Sequence, residues 1–468
     1  MRILAIDQGT TSTRAILFED GRHRPVGARK HRTRHPQPGR VEQDASELLA
    51  NIAALIEAAG HVDAIALDNQ GESCLAWDAR SGEPLSPVVV WQDVRTAEDL
   101  ARMAQTDAAA LSRDLAALPL DPYFSASKLG WLLRENEAVK QAAGRGRLRM
   151  GTTDAFFLDR LAGTFATDCA TASRTGLMNI ETGQWDSRLC ALFGVPPESL
   201  PEIRTNIAGF GAVGGVPVAA AIVDQQAALY GHGARGNGDA KITFGTGAFA
   251  LAVTGGTLHR GALDKGILPT FAWNLGNGPV HAIDGGVQDA GSAVEWALRA
   301  GLAEKLADFD VVPDRSAIAR GLVFAPLFSG LGCPHWDRSA APILLGLQPD
   351  MGKADMRQAL LEGIAFLTAD VIEAMEDICP MGDTLSIDGG LSNNRYFAQF
   401  LANCLGKTIR VDGFAERTAF GAASLAALAL GRTLSLETEP ATLFRPQAFT
   451  PDLRHRFQDA LRRAQNWR

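Results

Sequence analysis

A chain of 468 residues exceeds what one hydrophobic core ordinarily serves, so two domains with a ligand cleft between them are expected. With 46% hydrophobic and 21% charged residues, the composition excludes disordered, collagen-like and disulfide-scaffold classes. A net charge of -8 leaves no domain-scale basic excess for a nucleic-acid backbone.

The opening segment "MRILAIDQG" meets an Asp before a signal-peptide core forms, and no apolar run reaches the ~18 residues of a membrane span. A cytoplasmic protein that touches no membrane is therefore expected. Ile3 to Ile6 reads as a short buried strand, and Thr13 to Phe18 as a second ending at the turn signal Glu19-Asp20-Gly21. The basic run Arg29 to Arg34 reads as a solvated strand or loop. In "DASELLANIAALIEAAG", Asp44 stands three residues before Glu47 as a capping box, apolar residues follow at helical spacing, and Gly60 is the stop. "VDAIALD" returns to strand, and this alternation indicates an α/β domain.

Four glycines between Gly231 and Gly238 mark the expected boundary, giving domains 1–235 and 236–468. "ITFGTGAFALAV" then repeats the opening plan of strand, Gly/Thr turn and strand. Helices are expected near Ala290 to Arg299, Met356 to Ile378, Asn393 to Leu405 and Ala419 to Leu430, with a strand ending at Asp388. Phe457, Leu461 and Ala464 form one stripe of a terminal helix docked on the body. The six cysteines form no C-x-x-C pair, which predicts buried thiols and neither zinc nor disulfides.

Two nucleotide signatures fail on context. "GFGAVG" (Gly209 to Gly214) leads into a strand where a dinucleotide fingerprint opens a helix, and "GKT" (Gly406 to Thr408) lacks the earlier glycine of a phosphate-binding loop. The opening hairpin is better chemistry. Gly9 allows close backbone approach, Thr10, Thr11 and Ser12 add hydroxyls, Arg14 neutralises phosphate, and Asp7 orients magnesium through water. A hydroxyl-rich turn alone is usually just a turn. Gly245-Thr246-Gly247, and "IDGGLSNN" before a helix, add two more loops at strand ends suited to a nucleotide.

"AIDQGTTSTRA", "VVWQDVRTAE", "DPYFSASKLGWLLRE", "VDQQAALYG", "FGTGAFAL", "FSGLGCPHWD" and "IDGGLSNN" resemble, in order, segments of the FGGY carbohydrate kinases, and most of all the glycerol kinase branch. The resemblance runs from Ile3 to about Gly431. It implies two ribonuclease H-like domains of the actin/hexokinase type, ATP and Mg2+, and transfer of phosphoryl to a terminal hydroxyl of glycerol or a related polyol. It puts Thr10, Thr11, Ser12 and Arg14 on the phosphates, Asp7 on magnesium, and Thr246, Gly291, Gly390 and Asn394 on the nucleotide. Glu295 stands where the family has Gln, and so lacks an amide donor. Asp224 falls on the catalytic base, which suits an Asp at a strand end and equally suits a helix N-cap.

Glu72, Trp91, Tyr123, Asp224, Gln225 and Phe249 fall on acceptor contacts, whereas Gly71 replaces a family Arg that binds hydroxyls. Losing that guanidinium removes donors and is expected to open space, so erythritol, a pentitol or a xylulose-like ketose is an alternative acceptor. The stretch "GFGAVGGVPV" carries no Lys or Arg, which argues against sugar-bisphosphate regulation. A homo-oligomer, dimer or tetramer, is expected. The readings from other classes are a sugar- or nucleotide-responsive binding protein without turnover and a chaperone-like ATPase.

Overall fold

The computed structural model describes residues 1–310 and 314–467. The chain forms two compact units. The first comprises Met1–Gly233, Pro269–His281 and Glu416–Glu437; the second comprises Ala234–Leu268, Ala282–Ala415 and Thr438–Arg468. The change of unit at Gly233/Ala234 falls two residues before the expected cut at 235/236, and two later segments return to the first unit. Sequence composition marks where one core ends, but it carries no sign that two later segments return to it.

The first unit is built on a sheet with the strand order Ala212–Val213, Val216–Val223, Ala64–Asn69, Arg2–Gln8, Ser12–Glu19, Arg22–Lys30. Val216–Val223, Ala64–Asn69 and Arg2–Gln8 run parallel, and Ser12–Glu19 turns back antiparallel with Asp7 opposite Arg14. Leu4, Ile6, Leu17, Ile65 and Leu67 send apolar side chains into one core with Leu48, Ile52 and Leu55 of helix Ala45–Ala59. That helix starts where expected: the Asp44 side chain accepts from the Ser46 and Glu47 amides, and Gly60 ends it at φ 70°. The box itself is left open, because the Glu47 carboxylate turns to the Arg32 amide at 3.5 Å.

The parallel order brings the C-terminal ends of Arg2–Gln8, Ala64–Asn69 and Val216–Val223 together. Asp7, Asp68 and Asp224 lie at those ends, the position where α/β sheets bind ligands. Helix Asp224–Gly231 is held there by helix Arg417–Ala429. Their backbones touch through two glycines. A Cβ on Gly231 would lie 1.9 Å from the Arg417 carbonyl oxygen, and one on Gly421 would lie 1.8 Å from that of Ala227.

The second unit repeats the plan. Its strands follow the order Ala248–Gly255, Ala240–Phe244, Thr384–Gly389, Thr408–Val411, Thr442–Phe444, with the first pair antiparallel and the next two pairings parallel. Helix Pro451–Ala464 buries Phe457, Leu461 and Ala464, and Phe457 stacks on Phe366 with centroids 4.8 Å apart. Gly406 ends helix Arg395–Leu405 at φ 65°, so "GKT" is a helix stop. All six cysteines are free thiols. Among the described residues no helix is long and apolar enough to cross a membrane.

Candidate active site

The first-unit loop is a tight turn closed by a Gly9 N–H to Ser12 carbonyl bond of 3.1 Å. Its carbonyl face is anchored from behind. The Thr10 carbonyl accepts from Gln43 Nε2 at 2.6 Å and meets His31 Nε2 at 2.8 Å. Thr11 is exposed, and Thr10 and Ser12 are half-buried. Arg14 Nη1 donates to both carboxylate oxygens of Glu416, at 3.0 and 2.9 Å.

Beside this loop lies a carboxyl pair. Asp68 sits opposite Asp7 in the parallel ladder and is fully buried. Neither of its oxygens meets an amide, hydroxyl or cationic donor, and the group beside it in the ladder is the Asp7 carboxyl. Two carboxyl groups bond each other only when one carries the proton. Burial first, then the negative charge of Asp7, pushes Asp68 well above the usual carboxylate range, and Asp224 and Glu416 act on it in the same direction. Burial also raises Asp7, against the opposing effects of the Asp68 bond and Arg14. Asp68 was not among the expected residues. Its signal was available: "ALDNQG" repeats the strand-Asp-amide pattern of "AIDQG".

The residues expected on the acceptor side form a braced frame. Trp91 Nε1 donates to Thr10 Oγ1 at 3.0 Å, and the Trp91 ring meets Tyr123 edge-on at 5.7 Å. Lys128, fully buried in helix Ser125–Glu135, donates to the carbonyls of Val90, Trp91 and Tyr123 at 3.3, 3.5 and 3.0 Å. It thereby fixes both aromatics from behind, and its burial lowers its pKa. Glu72 occupies the left-handed region at φ 56°, uncommon for a residue with a Cβ, and is only 4% exposed. Its carbonyl accepts from Ser125 Oγ at 2.9 Å, and its carboxylate from Arg174 Nε at 2.7 Å. Arg174 follows the short helix Cys169–Ser173, which Asp168 caps through the Ala170 and Thr171 amides. Gln225 and Asp224 are half-buried at the start of their helix, where the Gln225 amide donates to Asp224 Oδ1 at 2.7 Å.

Gly71 is buried, and a Cβ built there would lie 2.9 Å from Cγ2 of Val223, the residue before Asp224.

In the second unit, Gly245-Thr246-Gly247 joins two strands, and its carbonyls receive the start of helix Gly291–Arg299. The Gly245 carbonyl accepts from the Gly291 N–H, and that of Thr246 from the Ala290 and Ser292 N–H groups, each at 3.0 Å. Asp289, another unexpected residue, holds the neighbouring loop by accepting from the Ser329 amide at 2.7 Å and Ser292 Oγ at 2.9 Å. Glu295 is exposed one turn into the helix, and Gly390 is exposed just after strand Thr384–Gly389. The Asn394 side chain caps helix Arg395–Leu405 and donates to the Phe309 carbonyl at 2.9 Å. Phe249 belongs to this second unit. Gly247 and Gly286 lie against its ring, where their Cβ atoms would be 3.1 and 3.0 Å from it.

Among the described residues, no group of three or more His, Cys, Asp or Glu side chains converges to cage a metal. Asp7 instead offers a half-buried carboxylate beside the side-chain-free face of Gly9, where a Cβ would be 3.7 Å from Asp7 Oδ1. Such a donor set fits magnesium, which keeps most of its water and takes one or two carboxylates together with substrate phosphates.

Comparison with known proteins agrees with this arrangement. Residues 2–231 match the N-terminal domain model of the FGGY family of carbohydrate kinases, and residues 240–430 match its C-terminal domain model. The chain is 38% identical to a glycerol kinase of Trichlorobacter lovleyi and 37% identical to one of Thermus brockianus, each alignment covering 99% of both proteins. The crystal structure of Plasmodium falciparum glycerol kinase with ADP superposes with a TM-score of 0.87 at 28% identity, over 99% of this chain and 98% of that one. A gluconate kinase from Lactobacillus acidophilus shares the fold, with a TM-score of 0.82 at 20% identity over 99% of this chain and 96% of its own. The chain belongs to the FGGY family of carbohydrate kinases, two-domain enzymes of the actin/hexokinase-like fold that transfer phosphoryl groups from ATP.

Proposed function

We propose that the protein phosphorylates a terminal hydroxyl of glycerol or a related small polyol, with Asp224 as the general base. One juxtaposition supports this reading: a Cβ on Gly71 would stand 2.9 Å from Val223 Cγ2, so Glu72 and Asp224, the residues that follow them, leave from neighbouring stretches of the first unit. A carboxylate that binds hydroxyls and a carboxylate that takes a proton are both needed there. The names of the full-length relatives supply the acceptor class.

In this mechanism Glu72, held by Arg174, accepts from acceptor hydroxyls, while the Trp91 and Tyr123 rings cover the carbon chain. Asp224 takes the proton of the terminal hydroxyl as its oxygen attacks the γ-phosphorus, and the bond to the β-phosphate oxygen breaks to release ADP. Thr10, Thr11, Ser12 and Arg14 hold phosphate oxygens on the first unit; Thr246, Gly291 and Gly390 hold the nucleotide on the second. Magnesium, oriented by Asp7, supplies neutralisation of phosphate charge when bound.

Coupled measurement of ADP release tests the proposal. Release should require an added polyol and fall by about 1,000-fold or more in Asp224→Asn. Polyol-independent ATP hydrolysis that survives this substitution would overturn it.

A further inference from the structure

We propose that Val223 and Gly71 act as one specificity element, in which the valine side chain excludes any longer residue at 71 and leaves Arg174 to supply the cation beside Glu72. The inference rests on the polyol kinase reading of this site and adds how its wall is made.

Three observations carry it. Gly71 is buried but does not have a left-handed φ, so the backbone would accept an L side chain without strain. What opposes one is Val223 Cγ2, 2.9 Å from the position a Cβ would take, and Val223 is itself only 2% exposed in a packed strand end. A side chain leaving Gly71 starts toward the residue that precedes the catalytic base, and a β-branched residue there has few rotamers to give way. The third observation is independent. Arg174 bonds Glu72 at 2.7 Å, and its guanidinium carbon lies 5.7 Å from the centre of the Tyr123 ring and 5.6 Å from that of Phe124. A guanidinium is therefore already seated against Glu72 and Tyr123 from another part of the chain. On the polyol kinase reading, position 71 then offers an acceptor no polar group, and its hydroxyls are left to Glu72 and Arg174. Acceptors that present C–H to the Val223 wall and hydroxyls to Glu72 fit this arrangement.

A double-mutant cycle on the full-length enzyme tests the element, with Gly71→Arg, Val223→Gly and the pair assayed on glycerol, erythritol and 1,2-propanediol. Gly71→Arg alone should lower kcat/KM for glycerol by about 100-fold and lower the melting temperature. Adding Val223→Gly should recover at least about tenfold of that loss and shift preference toward glycerol over 1,2-propanediol. Gly71→Arg activity and melting equal to those of the parent would overturn the proposal. So would a folded double variant no better than Gly71→Arg. Arg174→Lys should raise the acceptor KM about tenfold or more and leave the ATP KM within about twofold; equal effects on both would remove Arg174 from the element. If the parent turns over none of the acceptors, the polyol reading fails, while non-additive melting in the same cycle still reports whether Val223 and the residue at 71 compete for space.

Discussion

Trp91 Nε1 donates to the Thr10 hydroxyl at 3.0 Å, so a side chain expected at the acceptor is bonded directly to the loop expected to hold phosphate. The two strands that carry the Thr10 loop are set by local pairing, whereas Trp91 is fixed by Lys128 and Tyr123. One hydrogen bond therefore links the two halves of the first-unit site.

Replacing Trp91 with Phe keeps an aromatic ring at this position and removes the bond together with the pyrrole part of the indole. A neutral hydrogen bond contributes about 1 kcal/mol net, or roughly fivefold in an equilibrium constant. Trp91→Phe should accordingly raise the KM for ATP as well as for the acceptor, each about fivefold, in steady-state assays that vary one substrate at a time. An effect confined to the acceptor would mean that the bond does not connect the two.

The Asp7–Asp68 pair makes stability depend on pH. Because the folded protein holds Asp68 well above its ordinary value of 3.8, it binds more protons than the unfolded chain at higher pH. Stability from this group is therefore complete below that value and is lost as pH rises through the folded pKa. Asp68→Asn keeps a donor toward Asp7 and cannot ionise. It should raise the melting temperature at neutral pH by about 2 °C or more, with the gain shrinking toward pH 4. A gain that grows on acidification would reverse the assignment of the proton.

Arg14 meets Glu416 through partly exposed side chains, 47% and 33% accessible, so salt screens the pair. Glu416→Gln leaves the guanidinium its full charge for phosphate and should lower the ATP KM about threefold at low ionic strength. Near 0.5 M salt the difference should largely vanish. A salt-independent change would mean that Glu416 acts by shape, holding Arg14 in place.

How much was legible in the sequence follows from how local each signal is. The Gly/Thr hairpins, the Asp44 and Gly60 ends of one helix and the apolar stripe at Phe457 are written within a few residues, and the structure has them. Asp68, Lys128, Arg174 and Val223 depend on what lies opposite them in space. Lys128 in "SASKLGWLLRE" looks like a solvated helical lysine until three carbonyls converge on it. Gly71 shows the same limit in reverse. The residue missing from position 71 was visible, but the side chain that a Cβ there would meet belongs to Val223, far along the chain.

The second unit gives the last prediction. A Cβ on Gly291 would stand 2.4 Å from the Gly245 carbonyl oxygen, and that carbonyl already accepts the Gly291 N–H at 3.0 Å. Both atoms are backbone, so no rotamer change relieves the clash, and the Gly245–Gly247 turn must move or the helix start must back away. Either response also strains the Thr246 carbonyl bonds to Ala290 and Ser292. Gly291→Ala should therefore raise the ATP KM by about tenfold or more, with overpacking of this kind costing about 1–3 kcal/mol. Apart from Phe249, whose strand leaves this turn, the residues expected at the acceptor lie in the first unit, so the acceptor KM at saturating ATP should stay within about twofold. Equilibrium binding of ADP in the absence of acceptor separates the cases. Unchanged ADP affinity in a folded Gly291→Ala variant would remove this turn from the nucleotide site and leave its glycines a purely structural reason.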